Sequence, residues 1–438
     1  MSHNDQLTDI TFSKNDPKVL NGWAMFDWAN SAFALVITAA IFPAYFLEVT
    51  DDTIQVFSLE MSNSSFYAFC LTLAYILIAI VSPWLSGIAD AGGKKMWFLK
   101  FFTTFGVIGC LALLWFRGMP TLWIGTIGFI MAMIGFAGGL VFYNSYLPEI
   151  ATEDKYDRIS ARGFAFGYVG SVLLLIINLT MLQKPEWFGL PSEGTLPARI
   201  AFGMVGLWWI GFAQIPFRRL PKDTNKGSDK MRVLAKQGWQ EIKKVWYNLS
   251  GQTNLKRFLY SFFCYSMGVQ TILYMAGTFA KTELGYETSD LIIIVLILQV
   301  VAIGGAYLFA MISEKKGNIF SIAIMLLIWV LICIMAFLVH QKNDFYLIAA
   351  AVGLVMGGIQ SLSRSTYSKL LPKETVDTTS YFSFYDVLEK IAIVLGTFTF
   401  GLAELITGNI RYSVLILSVF FIISLIPLLR VKITHAKI

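Results

Sequence analysis

Apolar runs long enough to cross a bilayer recur twelve times in this chain, at about 21–47, 65–87, 97–116, 122–146, 161–182, 200–217, 257–280, 290–312, 319–339, 345–368, 381–405 and 412–429. An α-helix rises 1.5 Å per residue and a bilayer's hydrocarbon is about 30 Å thick, so about 20 apolar residues span it. In lipid every backbone N–H and C=O must be satisfied within the protein, and helices do this within one segment. Only 14% of the residues are charged, against about 25% in soluble domains. The predicted fold class is an all-α polytopic membrane protein with twelve transmembrane helices.

Lys and Arg set the orientation. With the N-terminus in the cytosol, cytosolic segments hold 25 of them and the opposite loops 6. This predicts both termini in the cytosol and, in a prokaryote, the inner or plasma membrane. Residues 1–20 are polar and lack the apolar core of a cleavable signal, so the first run is expected to direct its own insertion.

The polar segment 218–256 divides the spans six and six. The predicted organisation is a tail (1–20), a six-helix bundle (21–217), a linker (218–256), a second bundle (257–429) and a tail (430–438). The halves repeat weakly. SGIADAGGKK at 86–95 meets AMISEKKGN at 310–318 at an offset of 224, which sets Asp90 on Glu314 and Gly93 on Gly317. The pairs Gly135/Gly139 and Gly353/Gly357 in the two fourth helices have the spacing that lets helices approach closely. Such pseudo-symmetric bundles, with a site between them, are the plan of many secondary transporters. Within the linker, Met231, Leu234, Ala235, Gly238, Trp239, Ile242, Val245, Trp246 and Leu249 share one helical face. That fits either a helix lying on the inner leaflet or one packed beneath the bundle.

The turn Gly87-Ile-Ala-Asp90-Ala-Gly-Gly93-Lys94-Lys95 is expected between helices 2 and 3. Its glycines permit close packing and positive φ, Asp90 suits the N-terminus of another helix, and Lys94 and Lys95 suit an anionic leaflet. With twelve spans and a central linker, the pattern G-x-x-D-x-x-G-[KR]-[KR] resembles the signature loop of the major facilitator superfamily. That resemblance implies that Asp90 latches the halves together at the start of helix 11, near Ser380. Further stretches, NGWAMFDWANSAFALVITAAIFPAYF, LVFYNSYLPEIA, SARGFAFGYVGS, GGIQSLSRSTYSKLLP and FSFYDVLEKIAIVLG, resemble the autophagy-related vacuole-effluxer-like branch. The resemblance runs across nearly the whole chain and implies solute efflux or exchange, with amino acids as cargo. Glu389 departs from that branch, where a small residue is expected before the lysine.

A charge inside a span costs about 2.5–3.5 kcal/mol on insertion scales, so each one is a functional candidate. Asp27, Asn30 and Ser31 share a face of helix 1, which Ala34 and Thr38 extend, so that face should line a water-filled path. Trp23 and Trp28 suit interfacial anchors. On helix 11, Tyr385, Asp386, Glu389 and Lys390 are candidates. Asp386 and Lys390 form an i, i+4 pair, Lys390 is expected to face the cavity as a ligand for a substrate carboxylate or a partner of a proton carrier, and Glu389 is expected to face another helix. Arg364 suits a carboxylate contact, or else snorkelling or pairing at the cytosolic closure. Arg162, Glu149 and Asp154 are expected to form loop ion pairs. Tyr143, Asn144, Asn178, Gln270, Tyr274, Gln299 and Gln360 are candidate cavity hydrogen-bonders.

The four cysteines, Cys70, Cys110, Cys264 and Cys333, lie in apolar runs without metal-binding spacing. No phosphate-cradling loop or hydrolase motif occurs, so neither an enzyme nor a cofactor is expected. With no separate basic domain, a nucleic-acid partner is not expected either. The expected partners are a small solute, protons and the bilayer, for a monomer. A lipid flippase of the same fold would carry fewer buried charges and a wide apolar gap. A receptor or scaffold would use the linker and tolerate neutralisation of Asp27 or Lys390.

Overall fold

The computed structural model describes residues 13–433 apart from 57–58, 225–230, 287, 373–374 and 376. Six long helices come first: α1 (Pro17–Val49), α2 (Asn63–Gly92), α3 (Lys95–Ala112), α4 (Leu122–Ser145), α5 (Tyr156–Gln183) and α6 (Leu196–Arg219). The linker forms α7 (Met231–Gly251). Six more follow: α8 (Thr253–Leu284), α9 (Thr288–Lys316), α10 (Asn318–Leu338), α11 (Lys342–Leu370), α12 (Thr378–Thr407) and α13 (Ile410–Leu428). Apart from α7 these coincide with the twelve predicted spans, give or take a few residues. Eleven candidate membrane spans are long and apolar enough to cross a bilayer. The twelfth, α8, has the length, at 32 residues, but Tyr260, Ser261, Tyr265, Ser266, Gln270 and Tyr274 lower its mean hydropathy.

One short departure from an all-α chain lies between α1 and α2, where β1 (Thr53–Val56) pairs antiparallel with β2 (Leu59–Ser62). Ile54 is buried while Thr53 and Gln55 are exposed, the alternation of a half-covered strand.

Local chemistry explains the helix limits. Asp16 accepts from the backbone N–H of Lys18 at 2.8 Å, and Pro17 stands where a missing N–H costs nothing. Further along α1, Phe33–Ile41 widens into a π-helical stretch and recovers at Phe42. Pro43 follows at once, and its ring excludes the ordinary bond to the preceding turn. The turn after α2 requires Gly93, whose φ is +62° and whose added Cβ would strike the Thr224 carbonyl. Asp223 caps α3 from the linker, accepting from the N–H groups of Met96 (2.6 Å) and Trp97 (3.0 Å). Burial lifts its pKa, and those two bonds pull it back.

Buried apolar side chains gather in two clusters. One runs from Val19 to Leu220 and the other from Val245 to Val431, each taking one residue from the opposite half, Ile393 and Tyr168 respectively. Contact between the halves runs through α5 against α9 and α11, and through α2 and α4 against α12. Small residues close the first of these seams, with Ala161 against Ala306 and Ala310. Within the halves, Gly135 meets Gly106, and Gly357 meets the Ala302 carbonyl. Gly139 departs from expectation: a Cβ there would stand 3.7 Å from Phe26, ordinary contact, and the close neighbour of Phe102 is Gly138.

The linker helix packs beneath the bundle. Gly238 lies backbone to backbone against Gly87, and Val245 and Leu249 are buried, while Trp239 and Trp246 stay exposed. The amphipathic face is therefore divided, because contact through a glycine pair buries only a narrow stripe. The side chains of Met231, Leu234 and Ala235 lie outside the described residues. Lys244 reaches Asp377 at 2.7 Å, and that hydrogen bond raises its pKa. The end of the bundle covered by α7 is called the linker face below.

Candidate functional site

A cavity of about 330 Å³ lies between the two halves. From α1 it receives Asp27, Asn30, Ser31, Ala34 and Thr38, the i, i+3, i+4 stripe extended through the π-helical stretch. Tyr75, Asn144 and Tyr168 line it from the first half, and Gln270, Tyr274, Gln299 and Gln360 from the second. Asn178 is buried without a side-chain hydrogen-bond partner among the described residues and does not line it.

Toward the linker face the cavity narrows onto one ion pair. Arg364 of α11 reaches across to α1, with both terminal nitrogens 3.3 Å from Asp27 Oδ2. The Tyr143 hydroxyl donates to the same oxygen at 2.7 Å. The guanidinium also donates to the Ser160 hydroxyl (2.9 Å), the Ser160 carbonyl (2.9 Å) and Asn144 Oδ1 (3.1 Å). The rings of Trp23 and Phe164 stand 4.5 Å and 4.3 Å from its centre. Arg364 therefore does not snorkel; it is 3% exposed and clamped in the first half. Nor is Trp23 an interfacial anchor, being fully buried with its indole N–H on the Tyr143 carbonyl at 3.0 Å.

Glycine at 163 makes room for this pair. A Cβ there would stand 2.5 Å from Asp27 Oδ2 and 2.8 Å from an Arg364 nitrogen, and neither partner is free to withdraw. Gly163→Ala is expected to separate the ions and to destabilise this arrangement by more than about 1.4 kcal/mol. The unfolding temperature of the purified variant in detergent checks this; an unchanged temperature would show that the pair need not close.

Higher in the cavity, α12 presents Lys390 between two carboxylates, Asp386 at 2.9 Å and Glu389 at 3.3 Å. Glu389 also accepts from Gln270 Nε2 of α8 at 2.9 Å. It thus faces another helix as expected, and it also lines the cavity and reaches Lys390, because its length bridges the 100° step between successive helix positions. Asp386 sits behind Lys390, off the cavity wall, with Oδ2 unpartnered. Tyr385 stacks on Phe262 at 4.0 Å between centroids. The Tyr75 and Tyr274 hydroxyls meet at 2.7 Å across the halves.

Three further ties join the halves at the linker face. Asp90 accepts from the backbone N–H groups of Thr379 (3.3 Å) and Ser380 (2.7 Å), capping α12 from the other half. Lys95 contacts Glu149 and donates to Thr378 Oγ1 at 2.8 Å. It is 9% exposed and directed inward, contrary to the expected contact with the leaflet. Asp157 of α5 accepts from Ser313 (2.9 Å), Asn318 (2.7 Å) and Lys369 (2.7 Å) of the second half. Glu314, expected to mirror Asp90, is exposed at the end of α9. The acid of this tie sits on α5 instead, and the donors sit at the α9–α10 turn and on α11. The expected loop pairs involving Arg162 are also replaced, since it donates to Asn21 Oδ1 at 2.8 Å.

Asp157, Asn318, Lys369, Ser160 and Gly163 escaped the sequence reading. The helical register of α5 from Tyr156, five residues before the predicted start of the fifth span, would have drawn attention to Asp157. Gly163, Gly167 and Gly170 face Asp27, Ser31 and Trp28 in turn, a small-residue stripe at helical spacing that was visible in SARGFAFGYVGS.

Comparison with known proteins accords with this geometry. The family model described as "Vacuole effluxer Atg22 like" matches residues 15–438. The chain is 27% identical to the uncharacterized MFS-type transporter YxiO of Bacillus subtilis, over 95% of each chain. It is 27% identical to autophagy-related protein 22 of Kluyveromyces lactis, over 84% of this chain and 79% of the relative. Among solved structures, the major facilitator transporter FucP in its outward conformation superposes with a TM-score of 0.71 at 14% identity, over 95% of this chain and 99% of FucP. The human organic anion transporter MFSD10 gives 0.69 at 11%, over 94% and 98%. The protein is thus an integral multi-pass transporter of the major facilitator superfamily, and it belongs to the Atg22-like vacuole effluxer family.

Proposed function

We propose that this protein is a secondary active transporter that moves a small organic solute, amino acids foremost, by alternating access and with protons as the coupling ion. One observation carries the reading: a charged cavity lies between two halves whose charged cross-ties gather on its linker face. Such ties can break and re-form as the bundles 21–217 and 257–429 rock about the cavity. The excess of Lys and Arg on the linker side supports a cytosolic linker face, with both termini there. The arrangement is then the outward-facing member of the cycle, with Gly87, Asp90, Gly93 and Lys95 in the cytosolic gate. Asp27 and Asp386 are the proposed proton carriers. Asn30, Ser31, Asn144, Gln360 and Tyr385 are the proposed solute contacts. A cavity complete within one chain suits a monomer.

The test uses purified protein in liposomes with an imposed pH gradient and a mixed pool of amino acids and small metabolites. Wild type is expected to accumulate one solute class only when the gradient is present. Asp27→Asn and Lys390→Ala are expected to lower accumulation at least about tenfold, since each leaves a buried charge without its partner. Equal accumulation with and without the gradient would remove proton coupling. No accumulation of any solute would overturn the solute-transport reading.

A further inference from the structure

One of the two readings of Lys390 from the sequence has it offer a positive charge to a substrate carboxylate. The geometry assigns the opposite polarity. Lys390 is 4% exposed and already held by Asp386 and Glu389. Arg364, the other cation on the cavity wall, is neutralised by Asp27 and filled with hydrogen bonds to Ser160 and Asn144. Arg364 has no N–H left for an incoming anion, and Lys390 lies between two carboxylates that would repel one.

The acids are not matched in the same way. Asp27 balances Arg364, which leaves Asp386 and Glu389 to share Lys390, so the site carries one excess negative charge. The Glu389 side chain is 24% exposed where it lines the cavity, whereas those of Lys390, Arg364 and Asp27 are 6% exposed or less. An unpartnered acceptor points the same way: Asn30, on the cavity wall and 1% exposed, has an unsatisfied side-chain oxygen. A buried acceptor without a donor is costly, and a ligand that brings N–H groups relieves it. The wall beside Glu389 is aromatic, formed by Tyr75, Phe262, Tyr265, Tyr274 and Tyr385, and aromatic faces attract cations and repel anions.

We propose that the cavity is an ammonium site: it recognises the positively charged amino group of its ligand through Glu389 and the surrounding tyrosine rings, and makes no charged contact with a ligand carboxylate. This rests on the cavity being the solute site. It predicts that an amine lacking a carboxylate binds, and that the matching acid lacking an amine does not.

Three compounds of one skeleton test it by calorimetric titration of the purified full chain in detergent: phenylalanine, 2-phenylethylamine and 3-phenylpropionate. The amine is expected to bind within about threefold of phenylalanine, and the acid at least about tenfold more weakly than either. Glu389→Gln should weaken the amine at least about tenfold, and Glu389→Asp should keep most of the affinity, with thermal unfolding of both variants matching wild type. Tighter binding of 3-phenylpropionate than of the amine, or amine affinity unchanged in Glu389→Gln, would overturn the assignment. If the acid binds and is transported, solute transport stands and only the charge assignment falls. If none of the three binds, the assignment falls. If no solute accumulates in liposomes either, the transport reading falls with it.

Discussion

Arg364→Ala is expected to abolish transport and to release the linker face. The substitution leaves Asp27, 4% exposed, with the Tyr143 hydroxyl as its only hydrogen-bond partner among the described residues. Removing one member of a buried pair costs about 3–5 kcal/mol. Because Asp27 and Arg364 belong to different halves, the loss falls on the closed arrangement and not on either half alone. A shift of about 3 kcal/mol changes the ratio of two conformations more than a hundredfold. Arg364→Lys should be intermediate, since an ammonium keeps the charge but cannot reproduce the planar fork on Asp27, Ser160 and Asn144. The double substitution Asp27→Asn/Arg364→Gln should recover thermal stability relative to Arg364→Ala while transport stays absent. Uptake rates and detergent unfolding temperatures measured together decide it. If Arg364→Ala transports at the wild-type rate, the pair is not a moving part.

A comparable effect is expected at Asp157, for a related reason. Asp157 is 1% exposed and collects three donors from the second half. Asp157→Ala leaves the Lys369 ammonium, its side chain 6% exposed, with Asn318 Oδ1 as its remaining partner. The cost is again about 3–5 kcal/mol and again specific to the arrangement in which the halves meet. Spin labels at the exposed positions Arg158 and Lys315, with the four buried cysteines replaced, should report one short separation in otherwise wild-type protein. A second, longer population should dominate in Asp157→Ala. Adding Lys369→Ala should bring back part of the short population, because the stranded charge is gone. An unchanged distance distribution would reduce this cluster to local packing.

These two sites mark the boundary of what the residues alone convey. Twelve apolar runs, the α3 turn at Gly93, the cap-seeking Asp90 and the polar stripe Asp27–Asn30–Ser31 are all legible by eye. Each depends on local physics: hydrocarbon thickness, helical periodicity, positive φ at glycine and the demand of a helix N-terminus for an acceptor. The Asp386–Lys390 pair is legible too, because it lies one turn apart on a single helix.

What could not be read was which distant charges meet. Asp27 and Arg364 are 337 residues apart and Asp157 and Lys369 are 212 apart. Nothing in either neighbourhood names its partner. The repeat suggested Glu314 as the counterpart of Asp90, yet the acid of that tie came from α5. Lys390 was expected to pair with Asp386 alone, and Glu389 shares it as well. Hydrophobic insertion and helix formation are short-range along the chain, so they leave their mark in consecutive residues. Ion pairing depends on separation in space, and that separation is set only when twelve helices pack.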